Sequence, residues 1–199
     1  MKFNFKNKKT LYNIAALAVS ILIIAFLQMN SYEYNYQIGI LERTAIYAVV
    51  AISMNLLNGF TGLFSLGQAG FMAIGAYTVG ILTIPVAQRA SIYYISGISP
   101  LIANLYMPFF PALIIGGLLS AFVAALIGIP VLKLKSDYLA IATLGFSEII
   151  RALISAPQLD TITNGSYGLK NIPSFPNLFI FFAIVAVCII LMVMLINSS

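Results

Sequence analysis

The 199-residue sequence has no histidine, no tryptophan and one cysteine, and only 8% of its residues are charged. Without histidine, Cys/His zinc sites and Cys–His catalysis have no means of forming in this chain. Cys188 lies inside an apolar run and has no second cysteine to pair with. A Gly-x-x-x-x-Gly-Lys-Ser/Thr phosphate loop is also missing, so any ATP hydrolysis belongs to another chain. These absences argue against the common forms of an intramembrane enzyme, which need a nucleophile and base or a metal. The chain is expected not to be an enzyme and to need no cofactor of its own.

What the sequence does contain is apolar: 61% hydrophobic residues and a mean hydropathy of +1.03. Lipid is therefore the expected solvent, and backbone N–H and C=O groups must pair within helices or a closed barrel. The apolar runs are continuous and near the twenty residues of a helical span. The alternation of a barrel strand does not occur. The reading is an all-α polytopic bundle forming one transmembrane domain over 1–199, with six spans at Leu11–Met29, Ile38–Leu57, Ala69–Val86, Phe109–Leu132, Tyr138–Ala156 and Leu178–Ile196. All eight prolines fall at the proposed ends or connections, where a missing N–H costs least.

The net charge of +5 would suggest nucleic acid in a soluble protein, but here the basic residues flank helices and read as topology signals. With the N-terminus cytoplasmic, the inside carries Lys2, Lys6, Lys8, Lys9, Lys133 and Lys135, and the outside Arg89 and Lys170. The bias places both termini in the cytoplasm. No small-x-small cleavage site follows Met29, so the first run reads as an uncleaved anchor, with Tyr32, Tyr34 and Tyr36 as an interfacial belt.

Three features stand out against this background. In the fourth span Gly116, Ser120, Ala124 and Gly128 recur every four residues, a smooth stripe suited to close helix packing. Between the second and third spans, Asn58 to Gly70 gathers glycine and polar residues without charge. That composition fits a broken helix lining a cavity, with an ordinary interfacial turn as the alternative. In the fifth span Glu148 and Arg151 lie one turn apart, well within the membrane, so the pair is expected to face the bundle interior or a wet cavity. It is either a structural ion pair or a substrate contact. The candidates for the lining of a path are Asn58, Ser65, Gln68, Thr143 and Glu148, with Gly62, Gly67 and Gly145 permitting backbone breaks.

The stretch from Leu56-Leu57-Asn58-Gly59-Phe60-Thr61-Gly62 through Ser65-Leu66-Gly67-Gln68-Ala69-Gly70 to Gly75-Ala76-Tyr77 resembles the signature of branched-chain amino-acid ABC permeases. Asp137-Tyr138-Leu139-Ala140-Ile141-Ala142-Thr143-Leu144-Gly145-Phe146-Ser147-Glu148-Ile149-Ile150-Arg151 and Thr163-Asn164-Gly165-Ser166-Tyr167-Gly168-Leu169 resemble the family's next segments in order. Ser65-Leu66-Gly67-Gln68 is similar to the M-type of the two paralogous permeases, with Gln68 in place of the commoner histidine. The resemblance implies a permease for leucine, isoleucine and valine in the bacterial inner membrane. Its implied partners are a second permease, two cytoplasmic ATPase subunits that use the ATP, and an extracytoplasmic substrate-binding protein. Related permeases import urea or short amides, and an ion-coupled secondary transporter is the rival from another class. The family fold continues past the equivalent of Ile196, so the chain is expected to be the N-terminal portion of a longer fold.

Overall fold

The computed structural model describes residues 8–60, 62–134, 136–173 and 177–198; Lys2, Lys6, Thr61, Lys135 and Pro176, used above, lie outside them. Among the described residues the chain is helical, without strands. The long helices are α1 (Lys8–Met29), α2 (Asn35–Asn55), α3 (Gln68–Thr83), α6 (Phe109–Val131), α7 (Ser136–Ile154) and α9 (Leu178–Ser198). Between them lie the short α4 (Val86–Ile92), α5 (Pro100–Ala103) and α8 (Asp160–Thr163). Each predicted span is found as a helix. Asn35–Gly59, Phe109–Val131 and Leu178–Ile196 are each long and apolar enough to cross a membrane, and counting two bent helix pairs as spans gives five. The sixth expected span corresponds to α1, whose 22 residues include the apolar stretch Val19–Met29.

The chain forms two compact units, one of Met1–Ser53 with Phe175–Ser199 and the other of Met54–Ser174. In the first, α1 packs on α9, and Gln28 Oε1 accepts from Leu178 N at 2.8 Å. Leu27, Leu178 and Phe181 are its buried apolar side chains.

The second unit is built on α3, which packs chiefly against α6 and next against α7. Its connections fix the directions. Met107 N, just before α6, bonds Leu82 O near the end of α3, so α6 starts where α3 finishes and runs back along it. Thr163 Oγ1 donates to Ile154 O at the end of α7, and Ser99 N donates to Thr161 O. The connections 84–108 and 155–173 therefore pack together as one cap, whose core is Ile84, Ile92 and Tyr93 with Ile98, Ile102 and Leu169 against it.

Two expectations are corrected in this cap. The third span does not continue to Val86. Ile84 is extended (φ −63, ψ 124) before Pro85, which has no N–H to continue the ladder, and the chain turns by 119° into α4. Arg89 is not a solvated loop charge either. It is only 3% exposed, and its guanidinium donates to the carbonyl oxygens of Ile81, Ile84, Ile102 and Leu105. Two of those carbonyls belong to the carboxy end of α3, where a helix leaves acceptors unpaired and carries partial negative charge. The cap is thus centred on a buried cation held by backbone.

Candidate functional site

The approach of α3 to its neighbours rests on small residues. A Cβ on Gly116 would lie 3.1 Å from Gly75 O, and one on Gly75 3.2 Å from Ser120 Oγ. Ser120 Oγ donates to Phe71 O at 3.0 Å. On the other side a Cβ on Gly70 would lie 3.1 Å from Ser147 Cα, and the Phe71 and Phe146 rings lie 5.7 Å apart. Such contact between backbones is what small residues provide inside a membrane, where burial of apolar surface gains little.

Farther along α6 the stripe no longer meets α3. Gly128 has nothing within 4 Å of a would-be Cβ, and the space beside it is a cleft of about 430 Å³. Its walls are largely aliphatic and aromatic, among them Leu57, Phe71, Ile127 and Leu139, with Ser65, Gln68, Ser120 and Thr143 as polar groups and no charged residue among the described ones. These positions belong to the stretch before α3, the start of α3, the middle and end of α6 and α7 from Leu139 to Phe146, so the cleft lies at the end of this unit opposite the cap.

One wall is not helical. After α2 a single π-helical turn, Leu56–Phe60, is followed by an irregular stretch to Leu66. Gly62 takes φ +65 there, a conformation other residues adopt only with strain. Buried backbone outside a helix needs partners, and side chains supply them. Asn58 Oδ1 accepts from Ser65 N at 3.1 Å, Thr143 Oγ1 from Leu66 N at 3.0 Å, and Ser65 Oγ from Gly67 N at 3.4 Å. The Ser147 hydroxyl donates to Leu66 O (3.3 Å) and Thr143 O (3.2 Å). Ser65 and Gly67 are buried. The end of the break from Ser65 to Gly67 is thus packed in protein and held by side chains, whereas Gly62 and Phe64 are exposed.

The structure divides the sequence candidates. Ser65, Gly67, Gln68 and Thr143 come together on the cleft. Asn58 and Gly62 shape the irregular stretch without lining the cleft. Gly116 and Ser120 make the helix contact, whereas Ala124 and Gly128 are cleft wall. Gly145 and Glu148 lie elsewhere, on the opposite, exposed side of α7. Glu148 Oε2 does accept from Arg151 Nε at 3.1 Å, yet the two side chains are 59% and 78% exposed, so the pair does not face the interior of this chain. Both polar faces of α7 look alike in sequence, and packing of α3 selects the one with Thr143 and Ser147. The apolar lining and Ser147 went unmarked, because apolar residues carry no distinguishing pattern in a chain that is apolar throughout.

Long apolar helices packed through glycine, with a hydrogen-bonded break beside an uncharged cleft, define a polytopic all-α membrane protein with an internal cavity. The chain belongs to the family described as branched-chain amino acid transport system permease components, which matches residues 36–198. It is 39% identical over 142 residues to the high-affinity branched-chain amino acid transport system permease protein LivM of Salmonella typhimurium, and equally so to LivM of Escherichia coli K12. In each case the match covers 71% of this chain and 28% of the relative. No solved structure matches the chain.

Proposed function

We propose that this chain forms part of the permease of an ABC importer that passes leucine, isoleucine and valine inward across the bacterial inner membrane. The observation carrying this reading is the break before α3, stitched at Leu66 to Thr143 and Ser147, along one wall of a cleft whose described lining is uncharged and mostly aliphatic. Such a wall suits an aliphatic side chain better than urea or a short amide, which would need more polar partners. The amino end of α3 begins on the same wall, with no side-chain cap at Gly67, and a helix amino end favours a carboxylate. ATP is used by two cytoplasmic ATPase subunits. A second permease completes the path and an extracytoplasmic binding protein delivers the substrate.

Gly67 tests this reading. Its backbone is ordinary for any residue (φ −75, ψ −7), and a Cβ there would meet Phe71 and Thr143 at 3.4 Å, an ordinary contact. Gly67→Ala should therefore keep uptake, while Gly67→Leu projects into the cleft and should lower it by about tenfold or more, as overpacking of 1–3 kcal/mol implies. Leucine uptake by the assembled importer, normalised to membrane abundance and competed with valine or urea, is the measurement. Full uptake by Gly67→Leu, or competition by urea but not valine, would refute the proposal.

A further inference from the structure

Among the buried hydroxyls of the second unit, one is not spent. Thr83, Ser147 and Thr163 are buried, and each hydroxyl donates to a backbone carbonyl. Ser65 is as deeply buried, at 6% exposure, and lies on the cleft. Its N–H donates to Asn58 Oδ1, and its side-chain oxygen accepts only the long bond from Gly67 N at 3.4 Å. Its O–H has no acceptor among the described residues, and a buried donor without an acceptor is costly. Of the other polar side chains on the cleft, Ser120 and Thr143 donate to Phe71 O and Ala140 O, whereas the Gln68 carboxamide makes no hydrogen bond to the described residues. The first N–H of α3, at Gln68, is likewise taken by no described carbonyl. All the described lining residues belong to the unit Met54–Ser174, so these groups and the aliphatic walls come from one compact body.

We propose that Ser65 recognises the carboxylate of the transported amino acid, its hydroxyl donating to a carboxylate oxygen beside the amino end of α3. Unspent donors at a helix amino end call for an anion. The Gln68 carboxamide oxygen accepts from the ammonium group, and the aliphatic side chain lies against the Ile127 and Leu139 walls. A protein helix laid over the cleft would bring carbonyls already paired within itself, whereas a free amino acid brings the acceptor that Ser65 lacks. The proposal rests on the importer reading for the substrate, and adds the residue that selects it over a neutral molecule of the same shape.

The test uses membranes carrying the assembled importer without its binding protein, so that selection upstream does not set the result. A leucine analogue with a diazirine in its side chain is photolysed there, and its adducts are mapped on this chain. Adducts should form on the cleft residues of α6 and α7. Leucine should suppress them at a concentration about tenfold or more below that of leucinamide, which keeps the shape and the ammonium but has no carboxylate, because hydrogen bonds to charged groups are the stronger ones. Ser65→Ala should bring the two concentrations together, and Ser65→Thr, which keeps the hydroxyl, should preserve the gap. A merely structural role for Ser65 would weaken both compounds alike and leave their ratio unchanged. That result, or leucinamide matching leucine on the unaltered chain, overturns the inference while the importer reading stands. If no adduct forms in the cleft, or urea suppresses it and leucine does not, the importer reading itself fails, and the inference with it.

Discussion

Arg89 is the residue on which the most backbone depends. Its planar fork offers five donors, and its hydrogen bonds go to carbonyls of α3, of Ile84 just past it, of α5 and of the turn after α5. No carboxylate is needed, because the end of α3 and the four carbonyl dipoles supply the negative potential. A neutral replacement removes the donor to the carbonyls of Ile81, Ile84 and Leu105, while Ile102 O keeps Leu105 N, and each buried carbonyl left unpaired costs roughly 1–3 kcal/mol. Arg89→Met should therefore lower the melting temperature in detergent by several degrees or abolish membrane accumulation. Arg89→Lys, with three donors and no fork, should fall between. Thermal unfolding followed by size-exclusion fluorescence checks this, and a Met variant as stable as the parent would show that the carbonyls find water instead.

At the scale of elements, the break before α3 is held by hydroxyls of α7 more than by its own turn chemistry. Thr143→Val keeps the shape but strands Leu66 N, and Ser147→Ala strands Leu66 O. Each change should loosen the stretch by about 1–3 kcal/mol, speeding amide hydrogen exchange of residues 62–67 roughly tenfold or more with little change in α6. The double variant should fall short of the sum, because both hydroxyls hold the same residue, Leu66. Unchanged exchange in both single variants would mean that the stretch is fixed from elsewhere. The existence of this break was legible, since Gly59, Gly62, Gly67 and Gly70 interrupt two apolar runs. The long helices were legible for the same reason, as proline and glycine punctuate runs of spanning length. The cap was not. Its helices have seven and four residues, too short for a periodic signal, and the partners of Arg89 are carbonyls, which leave no trace in side-chain identity. The side faced by Glu148 and Arg151 was equally hidden, because Thr143 and Ser147 make the opposite face of α7 polar too.

For the whole molecule the open question is which way the chain is threaded, and the second unit constrains it. The connections 84–108 and 155–173, which the charge bias places outside, pack on each other, with Tyr93 Oη donating to Ile162 O at 2.6 Å. That leaves the Leu132–Leu134 turn, with Lys133, at the cleft end. The basic residues, six inside against Arg89 and Lys170 outside when α1 crosses, favour a cytoplasmic cleft end. The remaining variable is α1. At 22 residues it is about 33 Å long, enough for a 30 Å hydrocarbon layer. If it crosses, six crossings return the carboxy terminus to the side of the amino terminus. If it lies along the surface, the two ends part. Cysteine accessibility separates these outcomes, because Cys188 is the single native cysteine and is readily replaced by serine. In that background a membrane-impermeant maleimide added to spheroplasts should label Tyr32→Cys, in the fully exposed turn after α1, and Tyr94→Cys in the cap. It should leave Lys133→Cys and a cysteine appended after Ser199 unlabelled until the membrane is opened. Labelling of Lys133→Cys from outside would invert the unit and place the cleft at the outer face. Protection of Tyr32→Cys, with Tyr94→Cys still labelled, would instead mean that α2 does not cross, whereas outside labelling of Lys2→Cys together with Tyr32→Cys would keep the unit upright and mean that α1 does not cross.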